Sequence, residues 1–201
     1  MEEVSTTAPD MVARERELNS LYLVTVIILL VVVTATFGSL IFAFWWRSQN
    51  AYLWNHLSIP SLLWFTTAIL IASSVMLERA RTAIKGDQHP AFYRDVQWTT
   101  GLGVLFLLGQ GAAWMQVMNS NVVLAKDKHS WFIFLFSGLH ALHILAGLGA
   151  LGYLLYRARE QVSGPRYQMK TRAYTNALAI FWHYLGFVWI VLFALLLTWR
   201  R

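Results

Sequence analysis

Three histidines stand out, because an imidazole can ligate haem or a metal ion and can also donate or accept a hydrogen bond. His140 and His143 are three residues apart, so on a helix they face the same way. Phe136, His140, His143 and Gly147 form one stripe, and His183 lies in a later segment. Two readings of these rings stand side by side. One is ligation of haem or metal, with His183 as the partner from another helix. The other is bonding between helices, each imidazole satisfied by a hydroxyl, a carbonyl or a neighbouring subunit. No carboxylate lies within the apolar segments to orient a metal-bound ring. The remaining polar groups are Gln110, the hydroxyls of Thr66, Thr67, Ser73 and Ser74, and Glu78 with Arg79 and Arg81 beside it. Glu78 and Arg81 are spaced to pair along a helix surface, at headgroup depth. A lipid-headgroup or proton-entry role is the sharper reading of Glu78. The chain has no cysteine, which removes disulfides, thiolate metal sites, haem-attachment motifs and iron–sulfur clusters.

The elements that must position these groups are set by composition. Apolar residues make up 57% of the 201-residue chain and charged residues 13%, too few to coat a water-soluble domain. Five apolar runs follow a polar tail: about 21–46, 59–77, 96–118, 131–156 and 177–199. Each is long enough for a membrane-spanning helix, which needs roughly 17–25 residues, the first and fourth with length to tilt, and none contains Lys, Arg, Asp or Glu. The reading is an all-α integral membrane bundle of five transmembrane helices, residues 21–201, preceded by a tail over 1–20. The tail carries Glu2, Glu3, Asp10, Glu15 and Glu17 and is expected to be loosely ordered or helical along the membrane surface. No signal peptide is expected, because the first apolar run is long and acids precede it.

The net charge of +6 fits membrane asymmetry better than nucleic acid, because the basic residues lie between the apolar runs. Eleven fall in the tail, second loop and fourth loop, and five on the other side. The positive-inside rule then puts the N-terminus in the cytoplasm and the C-terminus outside. Trp45, Trp46, Trp54, Trp98, Trp131 and Trp199 fall near span ends, as an interfacial belt would. Lys85-Gly86-Asp87 and Ser163-Gly164-Pro165 read as turns. Gly109 with Ala113, Ser137 with Ala141, and Ala146 with Ala150 are small-residue pairs that allow close helix approach. With no visible catalytic set and no central charge, these residues favour a scaffold or accessory subunit over an enzyme or transporter.

Two strings carry a resemblance. Ser137-Gly138-Leu139-His140-Ala141-Leu142-His143-Ile144-Leu145-Ala146-Gly147 looks like HGLHVxxG, and Phe181-Trp182-His183-Tyr184-Leu185-Gly186-Phe187-Val188-Trp189 is similar to WHFxDxVW. With Ile59-Pro60, the Ser73-Ser74…Glu78-Arg79-Ala80-Arg81 stretch and Gly109-Gln110, they make the chain resemble subunit III of the haem–copper terminal oxidases, in its short five-helix bacterial form. The resemblance implies a multi-pass subunit of the bacterial inner membrane with no catalytic or redox chemistry of its own. Haem and copper would lie in partner subunits. The implied partners are oxidase subunit I, other subunits of the respiratory complex, and membrane phospholipid held between helices; the implied roles include support of proton uptake. His140, His143, His183, Glu78, Arg79 and Arg81 are then structural or lipid-contacting groups. Two family acids are absent: Gly186 stands in place of the Asp of the fifth-span string, and the first span reads Val32-Val33-Thr34-Ala35 where many members carry a carboxylate. The alternatives are an accessory subunit of a nitric-oxide reductase and a small membrane b-type cytochrome.

Overall fold

A computed structural model describes residues 8–49, 61–119, 130–159 and 165–198. Among them are five helices: α1 (Ala8–Ser48), α2 (Leu62–Lys85), α3 (His89–Asn119), α4 (Ser130–Arg159) and α5 (Pro165–Thr198). All five are long and apolar enough to cross a membrane. Helix α2 packs on α3, α3 on α4, α4 on α5, and α5 back on α2. Those four close a ring, and α1 leans on it from outside, mainly against α5.

Helix α1 shows what an outer position does to a sequence. Its apolar residues run nearly all the way round, and Leu21, Val24, Ile28, Val31 and Val32 are exposed. Val26, Val33, Phe37 and Phe44 turn inward, at spacings of seven, four and seven that keep them on one helical face. In lipid the exposed side chains face a solvent as apolar as they are.

The helices overrun the apolar segments. Helix α2 continues to Lys85, α3 begins at His89 and α5 at Pro165. The part of the tail from Ala8 onward is helical and continuous with the first span. At 41 residues, α1 is about 61 Å long, twice a hydrocarbon core of about 30 Å. The Lys85-Gly86-Asp87 stretch ends α2 in a turn, in which the Gly86 N–H donates to Thr82 O at 3.2 Å and the Gln88 N–H to Ala83 O at 2.9 Å. Asp87 takes the left-handed conformation (φ 55°), which Asp tolerates better than most side chains. Ser163 and Gly164 of the other expected turn, and Ile59-Pro60, lie outside the described residues.

Tryptophan fills the ring. Trp182 is wholly buried and Trp189 nearly so. A Cβ on Gly147 would stand 3.0 Å from the Trp182 ring, so the indole occupies the space that glycine leaves on α4. Gly109 brings α3 close to α2 in the same manner: a Cβ there would collide with Thr66 Cγ2. Trp45, Trp46 and Trp98 are exposed, as a belt requires; the side chains of Trp54, Trp131 and Trp199 are outside the described ones.

Candidate functional site

The hydroxyls of α2 work as a ladder of acceptors. Trp182 Nε1 donates to Ser73 Oγ at 3.0 Å and Trp189 Nε1 to Thr67 Oγ1 at 2.9 Å. Gln110 Nε2 of α3 donates to Thr66 Oγ1 at 3.1 Å. Two indoles seven residues apart on α5 thus meet two hydroxyls six apart on α2, one rung per two turns of antiparallel helix. The spacing was present in the sequence, but the tryptophans were not paired with the hydroxyls there, because neither residue type declares a partner. These bonds satisfy indole N–H groups that would otherwise be stranded in an apolar interior.

The three histidines part company. His140 is wholly buried in aromatic surroundings: its ring centroid is 5.2 Å from that of Trp189, 6.1 Å from Phe106 and 6.2 Å from Phe37. Among the described residues, neither ring nitrogen has a hydrogen-bond partner. The imidazole acts there as a flat packing piece. His143 meets Phe37 at 5.6 Å and bonds through Nδ1 to Leu139 O of its own helix at 2.7 Å. His183 turns to α2, with Nε2 3.4 Å from Glu78 Oε2. So His140 and His143 face Phe37 of α1 and His183 faces α2. Of the bonds the three rings make here, the one between helices is that of His183. Among the described residues, no group of three or more His, Cys, Asp or Glu is placed to hold a metal ion.

A charged layer lies toward the α2–α3 turn. Arg81 Nη1 reaches both oxygens of Glu78 at 3.4 Å, the i, i+3 spacing read from the sequence, and its Nε donates to Asn176 Oδ1 of α5 at 2.8 Å. Glu78, Arg81, His183 and Asn176 therefore form one cluster joining α2 to α5. Arg79 points elsewhere, to Asp95 Oδ2 of α3 at 3.6 Å. Asp95, with 5% of its side chain exposed, is also 3.2 Å from Arg94. Arg172 of α5 closes the layer, donating to Ile84 O at 3.2 Å and to Asp87 Oδ1 at 2.7 Å. Asp95 and Asn176 escaped the sequence reading. Asp95 sits one residue before the apolar run beginning near 96, where an acid reads as loop; the helix starts six residues earlier, at His89.

On the far side of the ring, Thr34 of α1 and Tyr184 of α5 share a hydrogen bond between their hydroxyls. Thr34 lies in the Val32-Val33-Thr34-Ala35 stretch of the first span.

The comparisons with known proteins point to one family. The family model described as cytochrome c oxidase subunit III matches residues 22–201. A cytochrome c oxidase subunit 3 of Synechocystis sp. is 27% identical over 128 residues, 63% of this chain and 52% of that protein. Another, of Corynebacterium diphtheriae, is 28% identical over 139 residues, 69% of this chain and 65% of that one. A probable cytochrome c oxidase subunit 3 of Nocardia farcinica is 26% identical over 151 residues, 74% and 69% of the two chains. The aligned part is thus about half the length of the Synechocystis relative and just under two thirds of the Corynebacterium one. The matched region takes in all five spans, the His140–His143 stripe and the Trp182–Trp189 ladder, and the chain belongs to the cytochrome c oxidase subunit III family.

Proposed function

We propose that this chain is the accessory third subunit of a respiratory haem–copper oxidase, with no redox chemistry of its own. It packs against subunit I, stabilises it, holds phospholipid and supports proton uptake by the complex. The parent reaction is reduction of dioxygen to water by electrons from cytochrome c or quinol, coupled to proton translocation. The chain sits in a bacterial inner membrane with its N-terminus in the cytoplasm. The observation that carries this reading is the family match over residues 22–201. Two structural features support it. The buried indole N–H groups of Trp182 and Trp189 and the amide nitrogen of Gln110 are capped by hydroxyls of α2, as in a packing interface. The charged layer lies at the end the basic loops assign to the cytoplasm. Any proton-collecting role of this chain falls to Glu78, whose side chain is half exposed in the charged layer.

The test is purification in mild detergent followed by mass spectrometry of the intact assembly. A haem- and copper-containing oxidase subunit I is expected to travel with this chain in equal amount. A nitric-oxide reductase catalytic subunit in its place, or the chain alone, would overturn the proposal. Released from the complex, the chain should show no stoichiometric Soret band.

A further inference from the structure

Before their apolar runs begin, α1 and α5 enclose a pocket of about 320 Å³. Leu18 and Leu21 of α1 and Met169 of α5 give it apolar walls, and Arg14, Glu17 and Lys170 give it charge. The two helices run parallel. Tyr22 meets Tyr174 edge-on at 5.9 Å, and further along Thr34 bonds Tyr184. Lys170 is therefore about level with Leu18, one turn nearer the bilayer than Arg14. Both cations are exposed, and among the described residues no ion pair engages either of them.

Depth separates a peptide from a lipid as the occupant. The apolar run of α1 begins near Leu21, and Arg14 stands seven residues before it, about 10 Å further from the hydrocarbon. The interfacial layer on each side of a bilayer is about 5–7 Å thick. The charged part of the pocket thus opens into water beyond the headgroups, where a polypeptide reaches it and an acyl chain does not.

Charge and reach then name the segment. Two unpaired cations beside apolar walls complement an acidic stretch flanked by apolar residues. Residues 1–7 of this chain carry Glu2 and Glu3 between Met1 and Val4. Arg14 lies about 9 Å along α1 from Ala8, and the level of Lys170 about 15 Å. An extended chain covers about 3.3–3.6 Å per residue, so Glu3 reaches about 17 Å from Ala8 and Glu2 about 20 Å. Pro9, in the first turn of α1, disfavours carrying the helix upstream, because its ring clashes with a carbonyl four residues earlier. A tethered segment also meets its site at millimolar effective concentration, which an untethered acidic peptide of equal affinity does not match.

We propose that the N-terminal segment folds back into this pocket as a clasp, with the Glu3 carboxylate on Arg14 and the Glu2 carboxylate on Lys170. Glu17 offsets one of the two cations, so a single acidic segment neutralises the pocket. The clasp fastens α1, which packs mainly against α5, to that helix beyond the bilayer. It does not depend on which catalytic subunit accompanies the chain.

The test treats the intact complex in mild detergent with a zero-length carbodiimide, which couples a carboxylate to an amine in contact with it. Linked peptides are identified by mass spectrometry. Lys170 should couple to Glu2 or Glu3. A Glu17–Lys170 link is the positive control, since both side chains line the pocket. Arg14→Gln leaves the Lys170 amine in place and should lower the yield of the Glu2 and Glu3 links by about twofold to fivefold, the loss of one exposed ion pair. Salt at about 0.5 M should lower it as well. Arg14 is exposed, so its replacement leaves the fold intact. Absence of any Glu2 or Glu3 link to Lys170 would overturn the proposal. So would coupling of Lys170 to a carboxylate of another subunit in their place, or a yield that neither Arg14→Gln nor salt changes.

Discussion

His140 combines complete burial with two unpartnered ring nitrogens, and so the polarity of its ring is a cost while its shape is a benefit. A buried polar group without a partner forfeits about 1–3 kcal/mol of desolvation. Replacing it by an apolar ring of similar size removes that penalty and keeps the contacts to Trp189, Phe106 and Phe37. His140→Phe is therefore expected to hold thermal stability within about 1 kcal/mol of wild type, or to raise it. Thermal denaturation in detergent, followed by loss of monodispersity, checks this; a drop of more than about 2 kcal/mol would show that the imidazole makes a bond in the assembled protein. The result is informative because the same residue carries the resemblance in sequence. A histidine that belongs to a family string can be held there by packing as readily as by chemistry.

Between elements, the ion pairs of the charged layer differ in what surrounds them. Asp95 is buried at the α2–α3 contact, but Arg79 and Arg94 are each more than half exposed, so solvent screens both pairs. Asp95→Asn should cost about 1 kcal/mol of thermal stability, and the difference from wild type should shrink in high salt. A salt-independent loss would mean that the carboxylate matters through hydrogen bonding instead. Arg172 has a different task. It ties α5 to the α2–α3 turn through the carbonyl of Ile84 and the side chain of Asp87, beside the left-handed residue that reverses the chain. Arg172→Gln removes the charged partner of Asp87 and loosens the turn. Trypsin cleavage after Lys85 in detergent-solubilised protein should become several-fold faster, while cleavage at Arg14 and Arg16 in α1 serves as the unchanged control. Equal rates at Lys85 in both proteins would show that helix packing alone holds the turn.

For the whole molecule, orientation is the property that decides which side of the membrane the charged layer occupies. The chain has no cysteine, so one introduced thiol reports its side of the membrane without background. Gln88→Cys, at an exposed position between α2 and α3, should react with a membrane-impermeant maleimide in inside-out vesicles and stay unlabelled in intact spheroplasts. The opposite pattern would invert the topology and place the charged layer on the outer side of the membrane. A ring of four helices with a fifth on its outside also leaves most of α1 facing outward. That surface is apolar over its central turns and so is matched to lipid or to another membrane subunit, whichever lies there in the complex.

The five spans were legible in the sequence because membrane insertion is decided locally: a run of about twenty apolar residues shows its own length and charge to the bilayer. The Lys85-Gly86-Asp87 turn and the Glu78–Arg81 pair were legible for the same reason, since their partners lie within a turn of helix. Two helical strings likewise identified the family, because they survive as contiguous text. What followed from tertiary packing was which group meets which across the bundle. Three histidines that looked alike as intramembrane imidazoles became a packing ring, a ring bonded to its own helix and a ring hydrogen-bonded to Glu78. Asp95 and Asn176 entered the picture when helices longer than their apolar runs brought them opposite arginines. Helix rotation and register place these groups, and both depend on side-chain volumes contributed by different segments, such as Trp182 seated against Gly147. No single stretch of chain contains that information.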